Sequence, residues 1–214
     1  MKIYDLSPEI SEGMAVYKNK PEKKPAIKIT RTIKDGANES RLEIDLHTGS
    51  HVDAPYHIFK NGKKIGIMNI ENFMGNCIVF DFTNVKNSIR DFHCSDAVKR
   101  MKGASIKGKI ILLRTKKRED KNFDFRFVYL DKSGADYLAS NNVKAVGIDS
   151  LGLERNQPAH DSHKILLRKN IPVFEGLNLG RIRKGEYFFC GLPLKIKDGD
   201  GSPVRAVLIG LDKQ

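Results

Sequence analysis

The sequence predicts one α/β or α+β domain with a mainly β core, on three observations. Its 214 residues are 40% hydrophobic and 30% charged, a balance typical of globular domains, and a chain of this length can bury most of its apolar surface in a single core. Short apolar runs of strand length outnumber helical stretches along the chain. No repeat, low-complexity tract or Pro/Ser-rich linker divides it, so a single domain over 1–214 is expected.

Taken in order, Ala26 to Ile33 and Arg41 to Leu46 alternate apolar with polar residues and predict half-buried strands. Asn76 to Phe82, Lys109 to Arg114, Lys144 to Asp149 and Val204 to Gly210 are more apolar and predict more deeply buried strands. A helix is expected after Ser95, whose hydroxyl can cap SDAVKRM. Another is expected after Asp131, running through KSGADYLAS to Asn141 and Asn142, and a short third after Asp161 through HKILLRK. The order lacks a strict βαβ rhythm, so the pattern stops short of a topology.

Several function classes are excluded by what is missing. No apolar run approaches the roughly 18 residues a membrane span needs, and MKIYDLSPEISEGM lacks the layout of a signal peptide, so a cytoplasmic protein without membrane contact is expected. Cys77, Cys94 and Cys190 are odd in number and form no CxxC pair, which predicts reduced thiols rather than a disulfide framework or zinc knuckle. The net charge of +12 is concentrated: between Lys99 and Lys121 ten basic residues face two acids, so +8 falls in 23 residues. These basic residues flank the strand-like GKIILLRT without interleaved aromatics, which predicts a solvated patch and no nucleic-acid partner. There is no P-loop, GxGxxG or GxSxG motif, and DGDGS from Asp198 to Ser202 lacks the spaced ligands of a calcium loop and predicts a Gly-rich hairpin turn.

Chemistry is concentrated in His47-Thr-Gly-Ser-His51-Val-Asp53-Ala-Pro-Tyr-His57, which holds three of the six histidines. As an extended continuation of the strand before it, this segment would project His47, His51, Asp53 and His57 to one side, with Leu42, Ile44 and Leu46 on the opposite, core side. A straight strand would spread His47 and Asp53 over roughly 20 Å, too far for one centre. Gly49 and Pro55 therefore predict a bend that gathers them. Two imidazoles and a carboxylate suit zinc, manganese or iron, with an open position for water in a catalytic site. His57, four residues beyond Asp53, is expected to stay off the metal and carry protons.

The segment fits HxGxHxDxPxH and resembles the signature of the cyclase-like metal-dependent hydrolase family, which includes bacterial kynurenine formamidase (arylformamidase) and isatin hydrolase. Ser50 stands where that family usually has threonine. The likeness extends through YDLSPEISEGMAVY, LDKSGADYLASNNVKAVGIDS, HKILLRKNIPVFEGLNL and DGSPVRAVLIG. It implies a swivelling β/β/α fold with a few flanking helices, and a homodimer. It adds His163 and Glu175 to His47, His51 and Asp53 as metal ligands, with Asp53 and Glu175 bridging if two ions bind; His160 is the rival of His163. It gives His57 the proton-carrying role and implies one or two divalent ions, zinc first and manganese second. The implied reaction is hydrolysis of an amide carbonyl in a small molecule, first N-formylkynurenine to kynurenine and formate in tryptophan catabolism. Ring opening of a cyclic amide or lactone is the alternative, because VYKNKPEKKP from Val16 to Pro25 departs from the segment near the pocket of many formamidases and the chain has no Trp. Outside enzymes, a basic binding protein with a structural metal is the other reading.

Overall fold

The computed structural model describes residues 1–101, 104–116 and 123–210. In chain order the strands and α-helices are β1 (Lys2–Asp5), β2 (Ala26–Arg31), β3 (Glu39–Glu43), β4 (His51–Asp53), β5 (Met74–Asp81), β6 (Ser88–Ile89), α1 (Asp91–Arg100), β7 (Ile110–Arg114), β8 (Tyr129–Leu130), α2 (Lys132–Ser140), β9 (Ala145–Ile148), α3 (Asp161–Arg168), β10 (Val173–Glu175), β11 (Gly185–Cys190), β12 (Gly201–Pro203) and β13 (Val207–Gly210). Nine strands form one mixed sheet in the order β1-β13-β11-β5-β7-β9-β10-β4-β12. Its centre, β5-β7-β9-β10, is parallel, and both flanks are antiparallel. The result is the α/β class with a dominant sheet that the apolar runs predict.

The runs at β5, β7 and β9 are continuous because both sheet faces are covered, whereas Val204–Gly210 buries Val204, Ala206 and Leu208 and leaves Arg205, Val207 and Ile209 partly or fully exposed. Along β7, Ile111 and Leu113 pack under the helical layer with Leu138 and Leu166, while Ile110 and Leu112 face a second core with Phe73, Phe174, Leu179 and Phe189. The residues of β5, β9 and β10 divide between the same two cores by their period of two. Among the described residues, no helix is long and apolar enough to cross a membrane.

Three expectations need correction. The Ala26–Ile33 and Arg41–Leu46 strands are not half-buried: β2 and β3 pair only with each other, leaving Ile29 75% and Leu42 50% exposed. Alternation here marks a hairpin arm carrying cross-strand ion pairs such as Arg31–Glu39 at 2.7 Å, not a strand lying on the core. The odd-numbered face also does not run on from Arg41, because β3 ends at Glu43 and turns separate it from β4. Finally, α1 starts at Asp91, upstream of Ser95. The Arg90 N–H donates to His93 Nδ1 at 3.0 Å, so a histidine caps the helix, and Ser95 lies inside it with its hydroxyl donating back to the Phe92 carbonyl. α2 and α3 begin where Asp131 and Asp161 predict. In the basic stretch, Lys102, Lys117, Arg118 and Lys121 lie outside the described residues, while GKIILLRT does supply a strand, the buried β7.

Candidate metal centre

The site grows out of β4, which is only three residues long and is inserted between β10 and β12. Val52 faces the second core, so its neighbours His51 and Asp53 project to the helical face. Glu175 is paired directly with His51 across β10 and β4, and so projects to the same face. α3 packs on β10 and brings His163 over the carboxylates.

The predicted bend is present. Gly49 has φ +68 and Gly176 has φ +66, and their backbones cross so closely that a Cβ on Gly176 would lie 2.4 Å from the Gly49 carbonyl oxygen. The Ser50 hydroxyl donates to the Gly176 carbonyl at 2.8 Å and pins this crossing, a function its side chain shares with threonine. Pro55 opens a short 3-10 turn through His57, so His57 reaches the cluster by a turn rather than by strand alternation. His47 lies against Gly201, where a Cβ would come within 2.8 Å of its ring.

The structure brings all six expected residues together. His163 Nε2 lies 3.1 Å from Glu175 Oε1 and 3.4 Å from Asp53 Oδ2. His51 Nε2 lies 3.4 Å from Glu175 Oε2 and 3.6 Å from Asp53 Oδ1, and His47 Nδ1 lies 2.8 Å from Asp53 Oδ1. His51, Asp53, His163 and Glu175 are buried, whereas the side chains of His47 and His57 are 25% and 33% exposed. The His57 ring lies against that of His47, with centroids 4.1 Å apart and planes tilted by 39°. His57 therefore forms the rim of the cluster and the other residues its floor.

Two residues that sequence reasoning passed over hold this arrangement from behind. Glu154 accepts from His163 Nδ1 through Oε2 and from the Ser162 N–H through Oε1 at 2.7 Å. Asp200, inside the DGDGS turn, lies 2.9 Å from His47 Nε2. His160 sits beyond Glu154 and 54% exposed, with Nδ1 3.4 Å from Glu154 Oε2, so His163 is the histidine that faces Asp53 and Glu175. His51 Nδ1 donates to the Gly49 carbonyl at 2.9 Å, which turns its Nε2 to the carboxylates.

The electrostatics follow from two carboxylates buried side by side. Burial works against ionisation of Asp53, but hydrogen bonds from His163 and His47 outweigh it and hold the carboxyl well below its usual range. Burial and the Asp53 charge oppose Glu175, yet His163 and His51 bring it down to about 2. The same contacts lift His47 to about 9 against burial, and raise His51 and His163. His57 moves the other way: burial pushes it down, reinforced by the charges of His47 and His163. The floor is thus a concentration of negative charge that draws cations, with protons taking that place on the imidazoles. His51, Asp53 and Glu175 converge closely enough to hold a metal ion, as do His47, Asp53 and His57, and the second nitrogens of His51, His163 and His47 are tied to Gly49, Glu154 and Asp200.

The chain is similar to known proteins over nearly its whole length. The chain is 29% identical to the kynurenine formamidase of Delftia acidovorans (strain DSM 14801 / SPH-1), over 98% of each chain. A solved structure described as a potential metal-dependent hydrolase with cyclase activity superposes with TM-score 0.85 at 37% identity, covering 97% of this chain and 96% of the other. An isatin hydrolase bound to the product analogue thioisatinate shares the fold with TM-score 0.84 at 18% identity, covering 97% and 91%. The family model described as "Putative cyclase" matches residues 4–155, a span that holds β4 and all three histidines of the HxGxHxDxPxH segment, and the chain belongs to that family.

Proposed function

We propose that the chain is a metal-dependent hydrolase of an amide carbonyl, with an aryl-formamide of the N-formylkynurenine type as substrate. The observation that carries this reading is the division of the cluster into a buried floor of His51, Asp53, His163 and Glu175, closed on one side by His47, and a solvent-reachable rim at His57. Support for the substrate comes from the formamidase relative, which matches over nearly the whole of both chains.

His47, His51, Asp53, His163 and Glu175 would hold the metal, Asp53 and Glu175 lying between the imidazoles where carboxylates can be shared by two ions. A bound divalent ion supplies Lewis acidity toward the carbonyl oxygen and acidifies water at neutral pH. The remaining steps belong to the chain. His57, at the solvent-reachable rim, accepts a proton as the oxygen of water adds to the carbonyl carbon. As the C–N bond breaks, the same imidazole returns that proton to the leaving nitrogen, giving formate and the free amine. The floor residues are too enclosed to exchange protons with substrate in this way.

A panel of N-formylkynurenine, isatin and simple lactones, run with zinc and with manganese, tests the reading. Turnover of the formamide with His57-dependent rates is expected. Turnover of isatin or a lactone alone would replace the substrate class, and no turnover of any amide or ester with metal retained would leave a structural metal site.

A further inference from the structure

We propose that Asp200 is a positioning residue, whose carboxylate fixes the ring orientation of His47 and, beside it, the orientation and tautomer of His57. The proposal rests on the reading of His57 as proton carrier. Asp200 Oδ2 lies 2.9 Å from His47 Nε2 and 3.6 Å from His57 Nδ1, so one oxygen faces the edges of two neighbouring imidazoles. An ionised carboxylate only accepts hydrogen bonds, so it selects the N–H form of each nitrogen that faces it. That contact holds a proton on His47 Nε2, while Nδ1, 2.8 Å from Asp53 Oδ1, faces the floor carboxylate. It likewise places a proton on His57 Nδ1 and leaves Nε2 as the acceptor. The opposite tautomer of His57 would aim an N–H where a lone pair is needed.

Asp200 is held where this requires. Its carbonyl accepts the Ala54 N–H at 2.9 Å, three residues before His57, and the neighbouring Gly199 carbonyl accepts the Ile65 N–H at 2.9 Å. Gly201 continues into β12 opposite Asp53, and the absence of its side chain is what admits the His47 ring. The DGDGS turn is thus tied on both sides to the segment that carries His57. Asp200 is part of the site by tertiary register, although 143 residues separate it from His57 in sequence.

The test uses the full chain loaded with zinc and also free of metal, and compares Asp200→Ala, Asp200→Asn and, on the same turn, Asp198→Asn. Asp198 pairs with exposed Lys64 at the surface, and asparagine tolerates its left-handed φ of +61. Asp200→Ala is expected to lower kcat by about 10- to 100-fold with KM changed far less. The 15N signals of His57 should shift from a single tautomer to a mixture in both metal states. Asp200→Asn, which keeps one acceptor oxygen, should lose less, and Asp198→Asn should match wild type in all respects. Unchanged kcat and an unchanged His57 tautomer in Asp200→Ala would overturn the proposal, as would a loss of kcat with that tautomer intact, which marks a merely structural role. If His57→Ala retains full turnover, the proton-carrier reading fails by itself, and the nitrogen signals still decide whether Asp200 orients the rings.

Discussion

Replacing Gly176 by alanine should remove the metal before it unfolds the protein. Gly176 has φ +66, and holding a residue with a Cβ in that region costs about 1–2 kcal/mol. The new Cβ would also stand 2.4 Å from the Gly49 oxygen and 3.0 Å from its carbonyl carbon, where real Cβ contacts stay beyond 3.0 Å. The obstruction is backbone, so no side chain can swing aside, and the 49–50 segment must retreat by more than half an ångström. Overpacking of this kind adds about 1–3 kcal/mol, for a total of about 2–5 kcal/mol. The retreat falls on the carbonyl that orients His51 and on the Ser50 hydroxyl that pins the crossing. Gly36→Ala provides the comparison, since Gly36 has φ +99 but nothing within 4 Å of its Cβ position, so it carries backbone strain alone. Urea titrations and metal stoichiometry of the two variants separate the effects: Gly176→Ala should lose most of its metal and Gly36→Ala none. If Gly176→Ala bound metal like wild type and unfolded no earlier than Gly36→Ala, the crossing would not set the ligand geometry.

His57→Ala should lower turnover by about 100- to 10,000-fold while metal content stays near wild type; loss of the metal would make His57 a ligand. Glu154→Gln removes the charge behind His163 Nδ1 and should weaken metal binding by about 10- to 100-fold, read by competition with a chelator, with wild-type affinity refuting it. The metal-free protein should be most stable between the ordinary carboxylate value of 4.5 and the ordinary imidazole value of 6.5. The stability from His47 is fully present below 6.5 and is lost as pH rises through about 9, while that from Glu175 is lost as pH falls through about 2. A Tm of the metal-free protein that stays flat from pH 6.5 to 9 would contradict this, and calorimetry in buffers of different ionisation enthalpy should show protons released when zinc binds near neutral pH.

The parts of this fold that could be read in the sequence are those whose cause is local. β7 and β9 are visible because strands covered on both faces need unbroken apolar runs, and α2 because Asp131 caps it through the Gly134 N–H. The floor of the site is visible as a density of ligand types around Gly49 and Pro55. What alternation cannot tell is whether a strand has a core beneath it, so Ile27 and Ile29 predict burial and instead stand on an exposed arm. Glu154 and Asp200 escape for a different reason. Each is an ordinary acid within LGLERN or a Gly-rich turn, and its role comes from a partner 9 residues away at His163 or 153 away at His47. The one local hint was the glycine after Asp200, at a position where a side chain would strike a ring.

The insertion of β4 between β10 and β12 has a consequence for how the chain comes to be active. Asp53 pairs with Val173 on one side and with Gly201 on the other. On a ribosome, the histidine segment emerges early and has no strand to pair with until nearly the whole chain has followed it. Loop closure of this length is slow, so the centre is among the last parts of the fold to assemble. A nascent or truncated chain that ends before β12 carries the histidine segment and the α3 ligand but lacks the edge that holds β4 in place. Metal capture and completion of the sheet are therefore one late event, and a chain cut short at its C-terminus should be inert long before it is unfolded.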